Sequence, residues 1–283
     1  MKESDTLQRF MFEHASIRGE IAHLDDAYKT IMYQRPYPPV VKKLLGEALI
    51  SCLMLAGSIK FEGEISLQFH GDKRLPLLLV QCDDQLRIRA FAKYQEEDED
   101  QHIDYADAFL EGRMVLIINQ YQQTQTYQSV VPIRSTSMAD NLTHYFAQSE
   151  QIATQVWLTV DNNQAAGMLI QLMPGQDTQQ REQFWEYAVQ LGQTISEHEL
   201  LTLDNTTLLH RLYHETELRL YTARPASFHC RCSLSKMKQV LTVLGEQEVH
   251  DLLKEKGHVD VICDFCNQQY IFDAIDITLL FRP

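Results

Sequence analysis

The sequences HCRC at residues 229–232 and VICDFCNQQYIF at residues 261–272 carry four of the six cysteines of this 283-residue chain. Two close pairs of cysteines are typical of a structural zinc site, because each pair supplies half of a tetrahedron of thiolates. We therefore predict that Cys230, Cys232, Cys263 and Cys266 together hold one zinc ion per chain when they are reduced.

The segment between the two pairs has the pattern of a small folded module spanning residues 229–283. Its periodicity predicts helices at 233–244 and 247–256, and a strand at 259–262 that forms a hairpin with 269–272. A module of this size is close to the lower limit for folding without a metal ion or disulfides. We expect loss of the metal to unfold it.

Other interpretations of these cysteines and their neighbours are less favoured. Chance burial of unrelated cysteines does not explain two close pairs in one short segment. His229, His250 and His258 could replace a sulfur, but histidines beside cysteines are more often exposed neighbours than ligands. Cys52, in an apolar helix, is expected to be a packing residue, and Cys82, followed by two aspartates that disfavour a thiolate, is not expected to be a third redox site.

The spacing within each pair also bears on redox chemistry. Zinc keeps all four sulfurs as thiolates, which is the form that oxidants attack. A disulfide within CRC would close a very small ring and is expected to be strained and easily reduced. CDFC has the spacing of a reversible redox pair. The site is therefore compatible with a switch as well as with a permanent structural role.

The rest of the chain predicts an α+β fold with three regions, because its strands are interrupted by helices without strict alternation. We expect a mixed α/β-sheet domain at 1–174, a polar helical linker at 175–228 and the small four-cysteine zinc-binding domain at 229–283. Helices are predicted at 7–13, 40–60 and 138–149, with Gly57 as a stop signal and Ser137 as a cap. Strands are predicted at 64–70, 75–82, 86–94, 114–120, 126–133, 156–161 and 167–174.

Charge and hydropathy restrict the possible partners and location. The formal net charge of −14 disfavours binding to nucleic acid, which needs a basic surface. The acidic run at 96–100 is expected to be a solvated loop. The first residues contain no apolar signal core, and the longest apolar stretch, at 48–57, is too short to span a bilayer. We expect a protein of the reducing cytoplasm without membrane contact.

Several longer segments resemble the heat shock protein 33 family, a family of redox-regulated chaperones, and the resemblance covers nearly the whole chain. Besides CRC and CDFC, the segments that carry it are IRGE (17–20), SLQFHGD (66–72), HYFAQSEQ (144–151), GMLIQLMP (167–174), LLHRLYHE (208–215) and CDFCNQQYIFDAIDI (263–277). Two positions depart from the family pattern, since Asn267 and Ser129 stand where glycine is expected. Asn tolerates the left-handed backbone better than most residues, so the turn at Asn267 should survive.

The resemblance implies an ATP-independent holdase chaperone and not an enzyme. In that family the reduced, zinc-bound form is inactive, and peroxide with unfolding stress, or hypochlorous acid, forms two disulfides and releases zinc. Carried over by position, the disulfides are Cys230–Cys232 and Cys263–Cys266. The metal module and the linker at 175–228 then unfold and expose apolar surface that binds unfolding client proteins, usually as a homodimer.

The linker contains an aromatic and apolar set whose role follows from this implication. We expect the set to pack on the first domain at rest, and the same face, or the surface it covers, to be exposed on activation. Its members are Phe184, Trp185, Tyr187, Val189 and Leu191.

Two other classes of protein use similar cysteine patterns. A zinc ribbon that binds nucleic acid fits CDFC beside a strand, but it does not fit the acidic charge. A thiol–disulfide oxidoreductase using Cys263 and Cys266 normally has its CxxC at the start of a helix in a thioredoxin-like unit, without a second pair that shares a metal. We keep both as alternatives to the chaperone.

Overall fold

The computed structural model describes residues 4–13, 15–96, 105, 107–121, 126–174 and 178–282. Contacts divide the chain into two compact units, Met1–Phe228 and His229–Pro283. Both units combine helices with antiparallel strands, and the α+β class predicted from the sequence is confirmed.

The first unit contains twelve strands and six α-helices among its described residues. The strands are β1 (Thr6–Phe12), β2 (Ile17–Leu24), β3 (Gly63–His70), β4 (Leu77–Asp83), β5 (Arg87–Lys93), β6 (Arg113–Gln120), β7 (Tyr127–Pro132), β8 (Thr154–Val160), β9 (Ala165–Leu172), β10 (Leu218–Leu220), β11 (Arg224–Pro225) and β12 (Ser227–Phe228). The helices are α1 (Asp26–Met32), α2 (Pro39–Ser58), α3 (Met138–Tyr145), α4 (Thr178–Gly192), α5 (Glu197–Thr202) and α6 (Asn205–Tyr213), with a π-helical turn (Phe146–Glu150) after α3.

Two six-stranded sheets organise this unit. The first has the order β10-β1-β2-β9-β8, with β11 also paired to β1, and all of its pairs are antiparallel. The second has the order β12-β5-β4-β3-β6-β7, and only the pair of β12 with β5 is parallel. The late strands β10, β11 and β12 therefore pair with the edge strands β1 and β5.

Helix α2 lies at the centre of the main core because it contacts strands of both sheets. Pro39 starts the helix at a position where the missing N–H costs no hydrogen bond. All residues from Ala48 to Gly57 are buried, as expected for a segment that is apolar on nearly all sides. Gly57, predicted as the stop signal, lies inside the helix, and a Cβ there would collide with the side chains of Leu7 and Glu20. Its role is close packing.

The first sheet has a second apolar face, which helices α4, α5 and α6 cover. We call this the helix-covered face. Its sheet residues are Phe10, Phe12, Ile17, Ile21, Ala166, Met168 and Ile170, and they pack against Ala188, Leu200, Leu201, Leu208, Leu209, Leu212 and Tyr213 of the helices. Phe12 makes edge-to-face ring contacts with Phe184 and Tyr213, at centroid distances of 5.5 Å and 4.9 Å.

The predicted helix at 7–13 is wrong, because these residues form strand β1. Leu7, Phe10 and Met11 have the spacing of one face of a helix, and a short apolar window does not separate the two periods. Pairing with β2 on one side and with β10 and β11 on the other decides the structure. Strand β2 was missed because Gly19 and Glu20 interrupt its apolar run.

Most other predicted elements of the first unit are confirmed within one or two residues. The seven predicted strands correspond to β3 to β9, and the helix at 40–60 corresponds to α2. The helix at 138–149 is α3 followed by the π-helical turn, and the Ser137 hydroxyl accepts the cap hydrogen bond from the Asp140 N–H. Apart from Glu96, the acidic run at 96–100 lies outside the described residues.

The region predicted as the linker, 175–228, is well packed in this structure. Its described part provides helices α4 to α6 and strands β10 to β12, and contacts group it with the first unit. The predicted packing of the aromatic set is confirmed for Phe184, Trp185, Val189 and Leu191, which contact the helix-covered face. Whether the region acts as a separate, metastable element stays a prediction.

The second unit is small and contains one core. It consists of α7 (Leu234–Leu244), α8 (Glu246–Lys256), the antiparallel hairpin of β13 (Val259–Ile262) and β14 (Gln269–Phe272), and α9 (Ala274–Leu280). The two helices and the hairpin were predicted, whereas α9, capped by the Asp273 side chain, was not. Along the described chain, none of the helices is both long and apolar enough to cross a membrane.

The packing of the helix-covered face leads to a stability prediction. Leu208 of α6 is 1% exposed within this face, whereas Leu110 is 40% exposed. We expect Leu208→Ala to lower the free energy of unfolding by about 2–5 kcal/mol, because it leaves a cavity, and Leu110→Ala by less than about 0.5 kcal/mol. Urea unfolding and amide hydrogen exchange at residues 197–213 measure this. Equal losses in the two variants would contradict the packing described here.

Candidate metal centre

Two local structures present the four predicted cysteines. Cys232 lies just before α7, where the Ser233 hydroxyl accepts a hydrogen bond from the Lys236 N–H at 3.3 Å and fixes the start of the helix. Cys263 and Cys266 lie in the turn that joins β13 to β14.

Backbone hydrogen bonds hold this turn in shape. The Asn267 N–H donates to the Cys263 carbonyl oxygen at 2.9 Å, and the Cys263 N–H donates to the Gln268 carbonyl oxygen at 3.0 Å. Asn267 has a φ of 56°, in the left-handed region that Asn adopts more readily than most residues. The turn therefore forms with Asn at the position where glycine is expected.

The four sulfurs converge at one point of the second unit. The Sγ atoms of Cys230, Cys232, Cys263 and Cys266 all lie within 4.8 Å of one another. The Cys230–Cys263 distance is 3.6 Å and the Cys232–Cys266 distance is 3.4 Å. A tetrahedral site with metal–sulfur bonds of about 2.3 Å places its sulfurs about 3.8 Å apart. The four residues therefore fit a tetrahedral thiolate site for a metal ion.

Protonation of the thiols depends on their surroundings. Burial raises the pKa of Cys230 and of Cys266 above the ordinary thiol value. Burial also acts to raise the pKa of Cys232, but hydrogen bonds from Tyr270 and the neighbouring sulfurs outweigh it and lower that pKa. Direct coordination to a dication deprotonates thiols outright, so a metal ion would keep these sulfurs as thiolates at neutral pH.

Tyr270 is a functional candidate that the sequence analysis missed. Its hydroxyl donates a hydrogen bond to the Cys232 sulfur at 3.2 Å, and this interaction raises the pKa of Tyr270 to about 12. Groups that hydrogen-bond to metal ligands orient them and tune their affinity. The hairpin prediction brought residue 270 next to the CDFC turn, but it did not indicate a contact with Cys232.

The histidine alternatives receive no support from the geometry. The group of close potential ligands found in the described residues contains the four cysteines and no histidine. His250 lies 3.7 Å from Glu246, and the His258 Nε2 atom lies 3.1 Å from the Asp260 carboxylate.

The small core of the second unit makes the sulfur cluster important for its stability. Five apolar side chains are buried there: Leu241, Val249, Val259, Phe272 and Ile277. Small domains with so few buried side chains usually need a metal ion or disulfides in addition. A metal bound by the four sulfurs would join the segment before α7 to the hairpin turn.

Cys52 belongs to the main core of the first unit, as predicted, and Cys82, whose packing was not predicted, belongs to the same core. Both are fully buried, and burial raises the pKa of each thiol, that of Cys82 well above its ordinary value. The predicted effect of Asp83 and Asp84 on Cys82 is present, but it is smaller than the effect of burial. These two cysteines pack in the core.

Together, the fold and the cluster define an α+β protein with a small module able to bind a metal through four thiolates. The sequence matches the family described as Hsp33 protein over residues 5–273. The chain therefore belongs to the Hsp33 family, and the resemblance seen in the sequence is confirmed.

Individual relatives agree with this assignment. The 33 kDa chaperonin of Pseudomonas aeruginosa is 38% identical over 285 residues, covering 99% of this chain and 96% of the relative. The 33 kDa chaperonin of Azotobacter vinelandii is 40% identical with the same coverage. The crystal structure of the 33 kDa chaperonin from Thermotoga maritima shares the fold, with a TM-score of 0.81 at 22% identity over 98% of this chain and 97% of that one. Family membership and these names support a chaperone function.

The site geometry predicts graded losses of metal affinity. Cys232→Ser should reduce bound metal well below one per chain and make residues 229–283 protease-sensitive, because a serine hydroxyl is a poor ligand. Tyr270→Phe should weaken metal binding by about 10–100-fold while leaving all four ligands. Cys52→Ala serves as the control and should retain one metal per chain. Competition with a chromophoric chelator measures all three, and full affinity in Cys232→Ser would rule out the site.

Proposed function

We propose that the chain is a redox-regulated, ATP-independent holdase chaperone whose inactive resting form is reduced and holds one zinc ion. The observation that carries the proposal is the convergence of four oxidisable sulfurs within 4.8 Å in a unit with a small core. Zinc suits four thiolates in a tetrahedral arrangement and has no redox chemistry of its own. The ligands, and not the metal, would then sense the oxidant.

Oxidation removes the ligands in pairs. Each disulfide forms when two zinc-bound thiolates lose two electrons to the oxidant. Hypochlorous acid accepts the two electrons together with one proton from solvent and becomes chloride and water. A disulfide sulfur is a poor ligand compared with a thiolate. Two disulfides would therefore release the zinc ion. Residues 229–283 would then lose the binding free energy that stabilises their fold.

The pairing that we propose is Cys230–Cys232 and Cys263–Cys266. The Sγ distances are compatible with adjacent and with crossed pairs, since the four atoms all lie within 4.8 Å of one another. Adjacent pairing leaves the two halves of the site unconnected, so the module can open. Crossed bonds would join the segment before α7 to the hairpin turn and preserve the link that the metal provides.

The described part of the linker at 175–228 covers the surface that we assign to client binding. Helices α4 to α6 lie on the helix-covered face, and β10 to β12 occupy the edges of both sheets. Unfolding of this region would uncover Phe10, Phe12 and Met168, among others, together with a free edge at β1. Apolar faces and open sheet edges are both surfaces on which unfolded chains assemble.

The metal module and the linker are coupled because they are directly connected in the sequence. Phe228 of β12, which pairs with β5, lies two residues before the first proposed ligand, Cys230. Loss of the metal would free this end of the linker, whose last strands are only two or three residues long. We further propose that the protein is cytoplasmic and that its active form is a homodimer. Its partners would be unfolded or partly unfolded proteins.

The alternative functions are less well supported by the same geometry. Cys263 and Cys266 lie in a hairpin turn, whereas a thioredoxin-like oxidoreductase has its CxxC at a helix N-terminus. The net charge of −14 disfavours a zinc ribbon that binds nucleic acid.

The proposal predicts that zinc content and holdase activity change in opposite directions. Titration of the reduced protein with hypochlorous acid should release zinc and suppress aggregation of heat-denatured citrate synthase over the same range of oxidant. Peptide mapping should find the two adjacent disulfides. Cys52→Ala is the matched control and should behave as wild type. Full suppression by the reduced, zinc-loaded protein would refute a zinc-gated switch.

A further inference from the structure

The first unit contains a cavity of about 510 Å³ that the proposed function does not use. It lies between strands β1 and β2 and residues 221–224 at the end of the linker region. Three arginines, Arg9, Arg18 and Arg224, are among its lining residues, and we call it the arginine cavity. Its volume is within the range of about 300–1,000 Å³ that is usual for small-molecule sites.

The lining of the arginine cavity contains more basic than acidic side chains. Glu20 is the acidic side chain of its lining, is 2% exposed, and accepts a hydrogen bond from the Arg9 Nε at 3.0 Å. Arg18 donates to the Gln171 side-chain oxygen at 2.9 Å and to the Ser58 carbonyl oxygen at 3.3 Å.

Arg224 likewise donates to an uncharged acceptor, the Asp84 carbonyl oxygen, at 2.8 Å. The lining therefore has an excess of positive charge in a protein that is acidic overall. Burial lowers the pKa of Arg18, and the nearby Arg9 adds to this effect against the attraction of Glu20. A bound anion would offset the free-energy cost of burying the positive charge of Arg18.

The remaining wall of the cavity is apolar. Met11 and Tyr221 are 40% and 39% exposed, and the Tyr221 hydroxyl donates a hydrogen bond to the Met11 sulfur at 3.1 Å. Leu7, which is 2% exposed, lies behind them in β1. A ligand that matches both parts needs an anionic head for the guanidinium groups and an alkyl body for this wall.

We propose that the arginine cavity binds a small amphiphilic carboxylate of the fatty-acid type. Binding involves β1 and residues 221–224 at once. The Tyr221 N–H donates to the Arg9 carbonyl oxygen at 3.0 Å, and the Gln8 side-chain amide donates to the Tyr221 carbonyl oxygen at 2.8 Å, so the two walls are already joined. A ligand held by both walls stabilises the linker end on the sheet. The bound ligand would therefore delay activation of the chaperone by oxidation, and this effect on regulation rests on the proposed function.

Binding is tested with decanoate on the full-length, reduced and metal-loaded chain by isothermal titration calorimetry. Decanoate should bind saturably at one per chain, with a dissociation constant below about 1 mM. Decanol has the same alkyl chain without the charge and should bind at least about ten-fold more weakly. No saturable binding of decanoate, or equal binding of decanol, would overturn the proposal without any variant.

A matched pair of variants locates the site. Arg224→Gln removes a cavity guanidinium and should weaken decanoate binding by about ten-fold. Arg211→Gln removes the same charge from α6, where Arg211 is 58% exposed and pairs with Glu199, and should change binding by less than about two-fold. Equal effects of the two variants would overturn the assignment to this cavity.

Hydrogen exchange separates binding from regulation. At a decanoate concentration of one hundred times the dissociation constant, exchange through opening of residues 218–228 should slow by about one hundred-fold. Unchanged exchange in the saturated protein would overturn the coupling. If the reduced protein were already an active holdase, the proposed function would fail, whereas the binding and exchange results would still stand.

Discussion

The convergence of four sulfurs within 4.8 Å is the constraint on which the second unit depends. Four thiolates at that separation repel one another strongly unless a cation lies between them, and burial adds to the cost. A metal ion turns this repulsion into a link between the segment before α7 and the hairpin turn. With five apolar side chains in its core, the unit has little else to compensate for the loss of that link.

The first unit has a complementary feature, because its own later residues cover an apolar sheet face. Phe10 and Phe12 of β1 are almost completely buried under α4 to α6, and β10 and β11 pair with the edge of the same strand. The sheet itself has a separate core on its other face, built around α2. Removal of the cover would therefore leave a folded sheet with a newly exposed apolar face, which is a suitable surface for unfolded proteins.

Much of this organisation was predictable from the sequence because it depends on local patterns. The cysteine spacing, the β13–β14 hairpin and the strands β3 to β9 all follow from periodicity and turn residues. The errors concern β1, β2 and β10 to β12, whose structure depends on pairing between residues roughly 140 to 220 positions apart, such as Phe10 with Leu220. Tyr270 was missed for a similar reason, since its contact with Cys232 depends on how the hairpin packs against the segment before α7.

We propose that the four sulfurs hold one metal ion only while they are reduced. The most direct measurement is a zinc analysis of the native protein after removal of unbound metal, combined with a count of free thiols in a denatured aliquot of the same sample, before and after oxidation. We expect one zinc ion and six thiols in the reduced protein, and after oxidation no zinc and two thiols, those of Cys52 and Cys82. Zinc that remains bound when only two thiols are left would contradict it.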